Sequence, residues 1–353
     1  MKKNLGQLLI EKGLINEKTL GEALQRQVIF GGRLGTNLLE MGAVSEESLM
    51  KLLALQYNIP YAEPSHFEKI PQEVLDSVPR ELIDQYRVVP LDLEGHRITL
   101  AMTDPHKLDI VDEVAFKTNM VIQPVVASEV RIVEALERYY GIRREARYIA
   151  VSEKVADEQK TLSQPAWEEG PPPPEEELLE LTEADIEPYN PFDVTDINEA
   201  FFNISNRDEV AQTVIRAGLR FMDDVFMFII KGDNALGWMS GGPVKPIIDF
   251  GTLSVHLDSD NILHQIRVSR TLERFNGTEI FESNQWLKEL SLKVPKEIIV
   301  CPLVLKKHVV SVIIGFSFKT PITDDEAAFL VRVMQKASVA FEILIMKSRI
   351  LML

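Results

Sequence analysis

Two glutamines, Gln27 and Gln56, stand 29 positions apart, and each closes the same run of leucines. A carboxamide donates and accepts along one planar edge, which is the pattern a nucleobase presents. Arg33 adds a planar guanidinium suited to guanine or phosphate. Gly35 nearby lets a ligand approach the backbone closely. Asp104, directly after an expected strand, has the acceptors for a guanine edge or for Arg33. Each residue also has a plainer reading. The glutamines suit helix ends facing water, and Asp104 suits a helix N-cap before Pro105. The chemistry on offer is recognition rather than bond breaking. No nucleophile is paired with a base, and the six histidines show no metal-ligand spacing. No catalytic residue, metal or cofactor is therefore expected. Cys301, the only cysteine, falls in an expected strand, where it packs as a small hydrophobe.

The elements that must position these groups are written twice. Leu5-Gly6 returns as Leu34-Gly35, Leu9 as Leu38, Gly13 as Gly42, Leu20 as Leu49, Leu24 as Leu53 and Gln27 as Gln56, with one constant offset. Two copies are too few for a solenoid, so each buries its apolar face against the other. Each copy reads as a short helix, a glycine at the positive-φ position that ends it, and a longer helix. Asn16 and Ser45 stand where the longer helices need N-caps. Leu20, Leu24 and Gln27, like Leu49, Leu53 and Gln56, follow at i, i+4 and i+7 and share one helical face.

Residues 4–27 and 33–56 resemble the tandem motifs of the N-terminal domain of MshE-type and GspE-type assembly ATPases. Those motifs run Arg-Leu-Gly-x-x-Leu, then Gly, then Leu-x-x-x-Leu-x-x-Gln. The resemblance implies a cyclic di-GMP site, with leucines on the guanines and arginine, glutamine and backbone groups as polar contacts. The first copy departs from the motif: Asn4-Leu5-Gly6 replaces Arg-Leu-Gly. Lys2 or Lys3 can supply charge there, but not a bidentate fork. The likeness continues through Val88 to Leu91, Gly95, Ile98 to Met102, Thr103-Asp104-Pro105, Val121 to Pro124 and Tyr139-Tyr140-Gly141. Periodicity alone gives strands at 87–93 and 97–102, helices at 107–117 and 128–140, and a short strand over Val121 to Val126 broken by Pro124. The motor of those ATPases needs a phosphate loop ending in Gly-Lys-Ser or Gly-Lys-Thr. Gly31-Gly32 and Gly241-Gly242 lack the lysine and hydroxyl that such a loop requires.

Residues 152–200 hold 15 Asp and Glu against Lys154 and Lys160, so most of the net charge of −16 sits there. With Pro171 to Pro174 and Glu175 to Glu177, the segment reads as a solvated tether, stiff at its prolines. What remains is close to neutral and does not favour a nucleic acid polymer. Beyond it the expected order is a helix at 207–222, strands over Val225 to Ile230 and Ala235 to Met239, a helix near 260–274, strands over Glu297 to Leu305 and Val309 to Phe318, and a long helix from Thr323 or Asp324. That order resembles a GAF-type domain, and Trp238 suits either its core or a pocket wall. The apolar end of the chain needs a partner but is too short to span a bilayer, so a homodimer through 325–353 is expected, without membrane insertion.

The expected architecture is α+β. A tandem helical repeat (1–58) precedes a small α/β half (59–141) and an acidic, Pro-rich linker (142–196). A GAF-like antiparallel sheet flanked by helices (197–353) follows. Lys2 and Lys3 precede apolar residues, but Glu11-Lys12-Gly13 ends the run too soon for a signal peptide, which points to the cytoplasm. The leading function is a non-enzymatic cyclic di-GMP receptor acting on an unidentified protein partner in pilus, secretion or related signalling. A ligand-free adaptor and a small-molecule sensor using the GAF-like domain are the alternatives.

Overall fold

The computed structural model describes residues 4–148, 152, 200–202, 204–243, 246, 248–258 and 261–352. The expected tether falls mainly on 149–151 and 153–199, outside the described residues. The chain divides into two compact units, Met1–Gln164 with Ser348–Leu353, and Pro165–Lys347.

In the first unit, α1 (Leu5–Glu11) and α2 (Glu17–Phe30) form one repeat copy, and α3 (Leu34–Glu40) and α4 (Glu46–Tyr57) form the other. Gly13 and Gly42 end the short helices at φ of 69° and 67°. A Cβ on either would meet nothing, so backbone conformation alone calls for glycine there. Asn16 Oδ1 accepts the Thr19 N–H at 2.8 Å and Ser45 Oγ accepts the Ser48 N–H at 3.3 Å, capping the long helices as expected. α1 packs on α4, and α2 on α3. Leu9, Leu20, Leu24, Leu38 and Leu49 meet in the core between them. Each buried leucine contributes about 1.5–3 kcal/mol relative to exposure, which holds together helices too short to persist alone.

The rest of this unit carries α5 (Gln72–Leu75), α6 (Arg80–Tyr86), β1 (Val89–Glu94), β2 (Arg97–Met102), α7 (Leu108–Thr118), β3 (Val121–Val126) and α8 (Glu129–Tyr140). β1 and β2 form a hairpin turning at Gly95, and α7 carries the chain across to β3, which pairs parallel to β2. Pro124 does not break β3, contrary to expectation. The Val121 N–H points to His96 on the β2 side, and the Val126 N–H points to Pro60 on the other. Position 124 shares the parity of 126, so its missing donor faces away from β2 and costs no ladder bond.

The second unit is built on six antiparallel strands: β4 (Asp224–Lys231), β5 (Asn234–Gly241), β6 (Ser254–His256), β7 (Glu273–Asn276), β8 (Glu297–Leu305) and β9 (His308–Ser317). Their order is β6-β5-β4-β9-β8-β7. β4 and β9 are central, and they are apolar and buried almost throughout because side chains cover both their faces. The helices are α9 (Arg207–Gly218), α10 (Ile262–Ser269), α11 (Gly277–Ser283), α12 (Leu287–Leu290) and α13 (Asp324–Met352). Helix, hairpin, middle segment, hairpin, long helix is the order expected of a GAF-like domain. α9 ends earlier than expected because the chain turns to bury Met222. Thr323 and Glu326 cap α13 reciprocally. One face of the sheet is filled by Phe226, Phe228, Phe250, Phe281, Phe316 and Trp286. Among the described residues, no helix is long and apolar enough to cross a membrane.

Candidate functional site

Repetition places equivalent residues around one cavity of about 320 Å³. Asn4 and Arg33, Leu5 and Leu34, and Gln27 and Gln56 all line it, together with Gly35, Leu49 and Leu53. Both glutamines are half-buried rather than free in water. Gln27 Nε2 donates to the Gly32 carbonyl at 3.2 Å, bracing the loop before Arg33. Arg33 is the N-cap of α3 and makes no side-chain cap bond. A second cavity of about 280 Å³ lies beside the first and shares Arg33, Thr103 and Glu129 with it. Asp104 lines this second cavity. It does not cap α7, whose N-cap is Lys107. Its Oδ1 instead accepts the His106 N–H at 3.2 Å, two residues on, as a short Asp turn does.

Other motif residues have structural places. Leu9, Leu20, Leu24 and Leu38 are core, at 5% exposure or less. A Cβ on Gly6 would stand 2.9 Å from Leu20 Cδ1, and one on Gly35 would stand 3.0 Å from Leu49 Cδ2. The Leu-Gly pair therefore has a packing reason in both copies: the short helix crosses the leucine of its own long helix. Gly13 and Gly42 shape the turns and lie outside both cavities' linings.

Several residues of the site carry no spacing signal. Tyr57 follows Gln56 and lines the first cavity. Burial raises its phenol pKa, the Asp104 carboxylate adds to that and Arg33 opposes it, so the hydroxyl stays protonated at neutral pH as a donor. α8 closes the site from the α/β half. Glu129 Oε2 accepts the Thr36 hydroxyl at 2.6 Å and the Arg33 N–H at 3.4 Å. Two residues on, Arg131 grips Glu46 through Nε at 3.1 Å and 3.2 Å and through Nη2 at 2.8 Å, while Ser128 Oγ donates to Glu46 at 2.6 Å. These bonds fix the repeat to the α/β half along the rim of the cavity. Among the described residues, no group of three or more His, Cys, Asp or Glu could hold a metal ion.

A duplicated helical pair fixed to a three-stranded α/β half can be compared with known domains. Residues 57–146 match the model of the MshEN domain. Relatives of this domain include the type IV pilus assembly ATPase PilB of Myxococcus xanthus, 39% identical over 141 residues. The alignment covers 40% of this chain and 25% of PilB, so the chain spans about a quarter of that relative's length. A solved structure of MshE with cdg is 29% identical, covering 39% of this chain and 99% of that chain at a TM-score of 0.32. The GAF domain of a two-component sensor histidine kinase from Bacillus halodurans is 14% identical, covering 41% of this chain and 99% of that chain at a TM-score of 0.36.

Proposed function

We propose that the chain is a non-enzymatic receptor for cyclic di-GMP. The observation that carries this reading is the single cavity walled by equivalent positions of both repeats, Asn4 with Arg33, Leu5 with Leu34 and Gln27 with Gln56. A cyclic dinucleotide presents two identical halves, and a duplicated wall offers one set of groups to each. Leucines supply apolar area for the bases, the glutamines meet polar edges, and Arg33 meets guanine or phosphate. The ligand's identity follows from the resemblance of the two motifs. The protein works in the cytoplasm, where binding is passed through the acidic linker to a dimeric GAF-like module and on to a pilus, secretion or related signalling partner.

Calorimetric titration of the full chain tests this. Micromolar or tighter binding of cyclic di-GMP that Arg33→Ala loses is the expected result. No heat from the wild type at high ligand concentration would overturn the reading. That outcome would favour an adaptor that docks an assembly platform without ligand, a role supported by Asn4. Its Oδ1 accepts the Gln7 N–H at 2.9 Å, and its own N–H donates to Gln7 Oε1 at 3.3 Å, so its amide serves α1. A ligand role for the GAF-like unit has less support, because aromatic and aliphatic side chains fill the sheet face that would hold one.

A further inference from the structure

α8 ends at Gly141 in a left-handed cap, yet the chain does not leave the domain there. Ala146, Arg147 and Tyr148 are 6%, 8% and 7% exposed, although the linker was expected from 142. The family match stops at 146, so Arg147 and Tyr148 lie just past it. Arg147 reaches back to the loop between α2 and α3. Its Nη1 donates to the Phe30 carbonyl, and its Nη2 lies 3.9 Å from the buried Glu40 carboxylate. The guanidinium rests on bare Gly32, where a Cβ would come within 2.7 Å of Nη2. Asn37 Nδ2 donates to the Gly31 and Arg33 carbonyls at 3.0 Å and 2.9 Å, and Gln27 holds that of Gly32. Side chains thus hold each carbonyl from Phe30 to Arg33, and the one that grips Phe30 comes from beyond the repeat. Tyr148 lines the second cavity with Glu129, the carboxylate that also accepts the Arg33 N–H.

We propose that Arg147 is a positioning residue for Arg33, and that 146–148 form a latch coupling occupancy of the site to the chain leaving the domain. The coupling rests on the cyclic di-GMP reading. A ligand drawn to Arg33 pulls on a loop whose far side Arg147 holds. Linkage is reciprocal: a latch that favours binding must itself be tightened by binding, by the same factor.

The test uses the full chain as wild type, Arg147→Ala and Arg147→Met. Hydrogen exchange without ligand reads the positioning. Arg147→Ala should speed exchange at 31–37 about tenfold while β1 and β2 keep wild-type rates, a local rather than global opening. Calorimetry reads the coupling. Arg147→Ala should weaken cyclic di-GMP binding roughly 5- to 150-fold, and ligand should slow exchange at 146–148 in the wild type. If the wild type binds, and Arg147→Ala binds equally with unchanged exchange, the latch is overturned and the receptor reading stands. If the wild type does not bind, the receptor reading falls together with the coupling, and exchange alone decides the positioning: unchanged rates at 31–37 overturn it. If Arg147→Ala also loses protection in the strands, Arg147→Met decides. It keeps the aliphatic stem and removes the donors that reach Phe30 and Glu40, so faster exchange confined to 31–37 supports the latch and wild-type rates overturn it.

Discussion

Asn4 and Arg33 occupy the same position in the two repeat copies, but their side chains are used differently. Asn4 spends its amide on a capping box with Gln7, whereas Arg33 makes no cap bond and turns to the cavities. Replacing Arg33 by lysine keeps charge and loses the fork, so cyclic di-GMP affinity in calorimetry should fall about tenfold or more. The converse change, Asn4→Arg, should cost α1 about 1 kcal/mol of capping in a denaturant melt yet tighten binding by adding a second fork. Weaker binding would mean that the two positions are not equivalent toward ligand. Cys301 makes a residue-scale prediction in the other unit. Burial pushes its thiol up to about 12. A thiol raised in the folded state contributes stability that is intact below its unfolded pKa and lost as pH climbs from there toward 12. At pH 8 an aromatic disulfide reagent should therefore react with Cys301 only after denaturant is added. Rapid reaction in the native state would contradict the packed strand.

At the scale of elements, the repeat is legible because the signal recurs: seven positions at one offset leave little room for another reading. The central strands are legible because near-continuous β-branched runs such as Val309 to Ile314, interrupted only by Ser311, suit a central strand. β6 and β7 are not, being three and four residues long and too short for any period. The seam of the first unit is hidden for another reason. Glu46 meets Arg131 across 85 positions, and Arg147 meets Phe30 across 117, separations that leave no local pattern. The same distance explains why Arg33, Gln27 and Gln56 could be picked out but Glu129 and Tyr148 could not. Glu46 and Arg131 are mostly buried, with side chains 8% and 14% exposed. Removing Glu46 leaves Arg131 only the Glu134 carboxylate, 3.2 Å away on its own helix, so Glu46→Ala should cost about 2 kcal/mol in urea unfolding. Changing both residues to methionine should recover most of that loss. If the double change is no better than the single one, the pair's worth lies in its bonds rather than in avoiding a buried charge.

At the scale of the whole molecule, α13 buries Leu330, Val333, Met334, Ala337, Phe341 and Leu344 and leaves Val339, Ile343, Met346 and Ile350 exposed. The exposed set steps by four, three and four, the spacing of a coiled-coil seam. Glu342 and Lys347 flank it, where a parallel second copy would set each beside its opposite. Light scattering at tens of micromolar should give twice the chain mass, and Ile343→Glu should halve it. A wild-type monomer would remove the dimer from the proposed relay. The outer edge of β3 bears on how these molecules keep apart when concentrated. Val121 is 60% exposed there, and open strand edges invite pairing between chains. Residues 60–62 already pair with that edge at Val126, and Pro124 removes an outward donor from the rest, so a foreign strand laid along it finds a gap in the hydrogen-bond ladder. Pro124→Thr would fill the gap without touching the site, and the altered protein should form thioflavin-positive aggregates at concentrations where the natural chain stays clear.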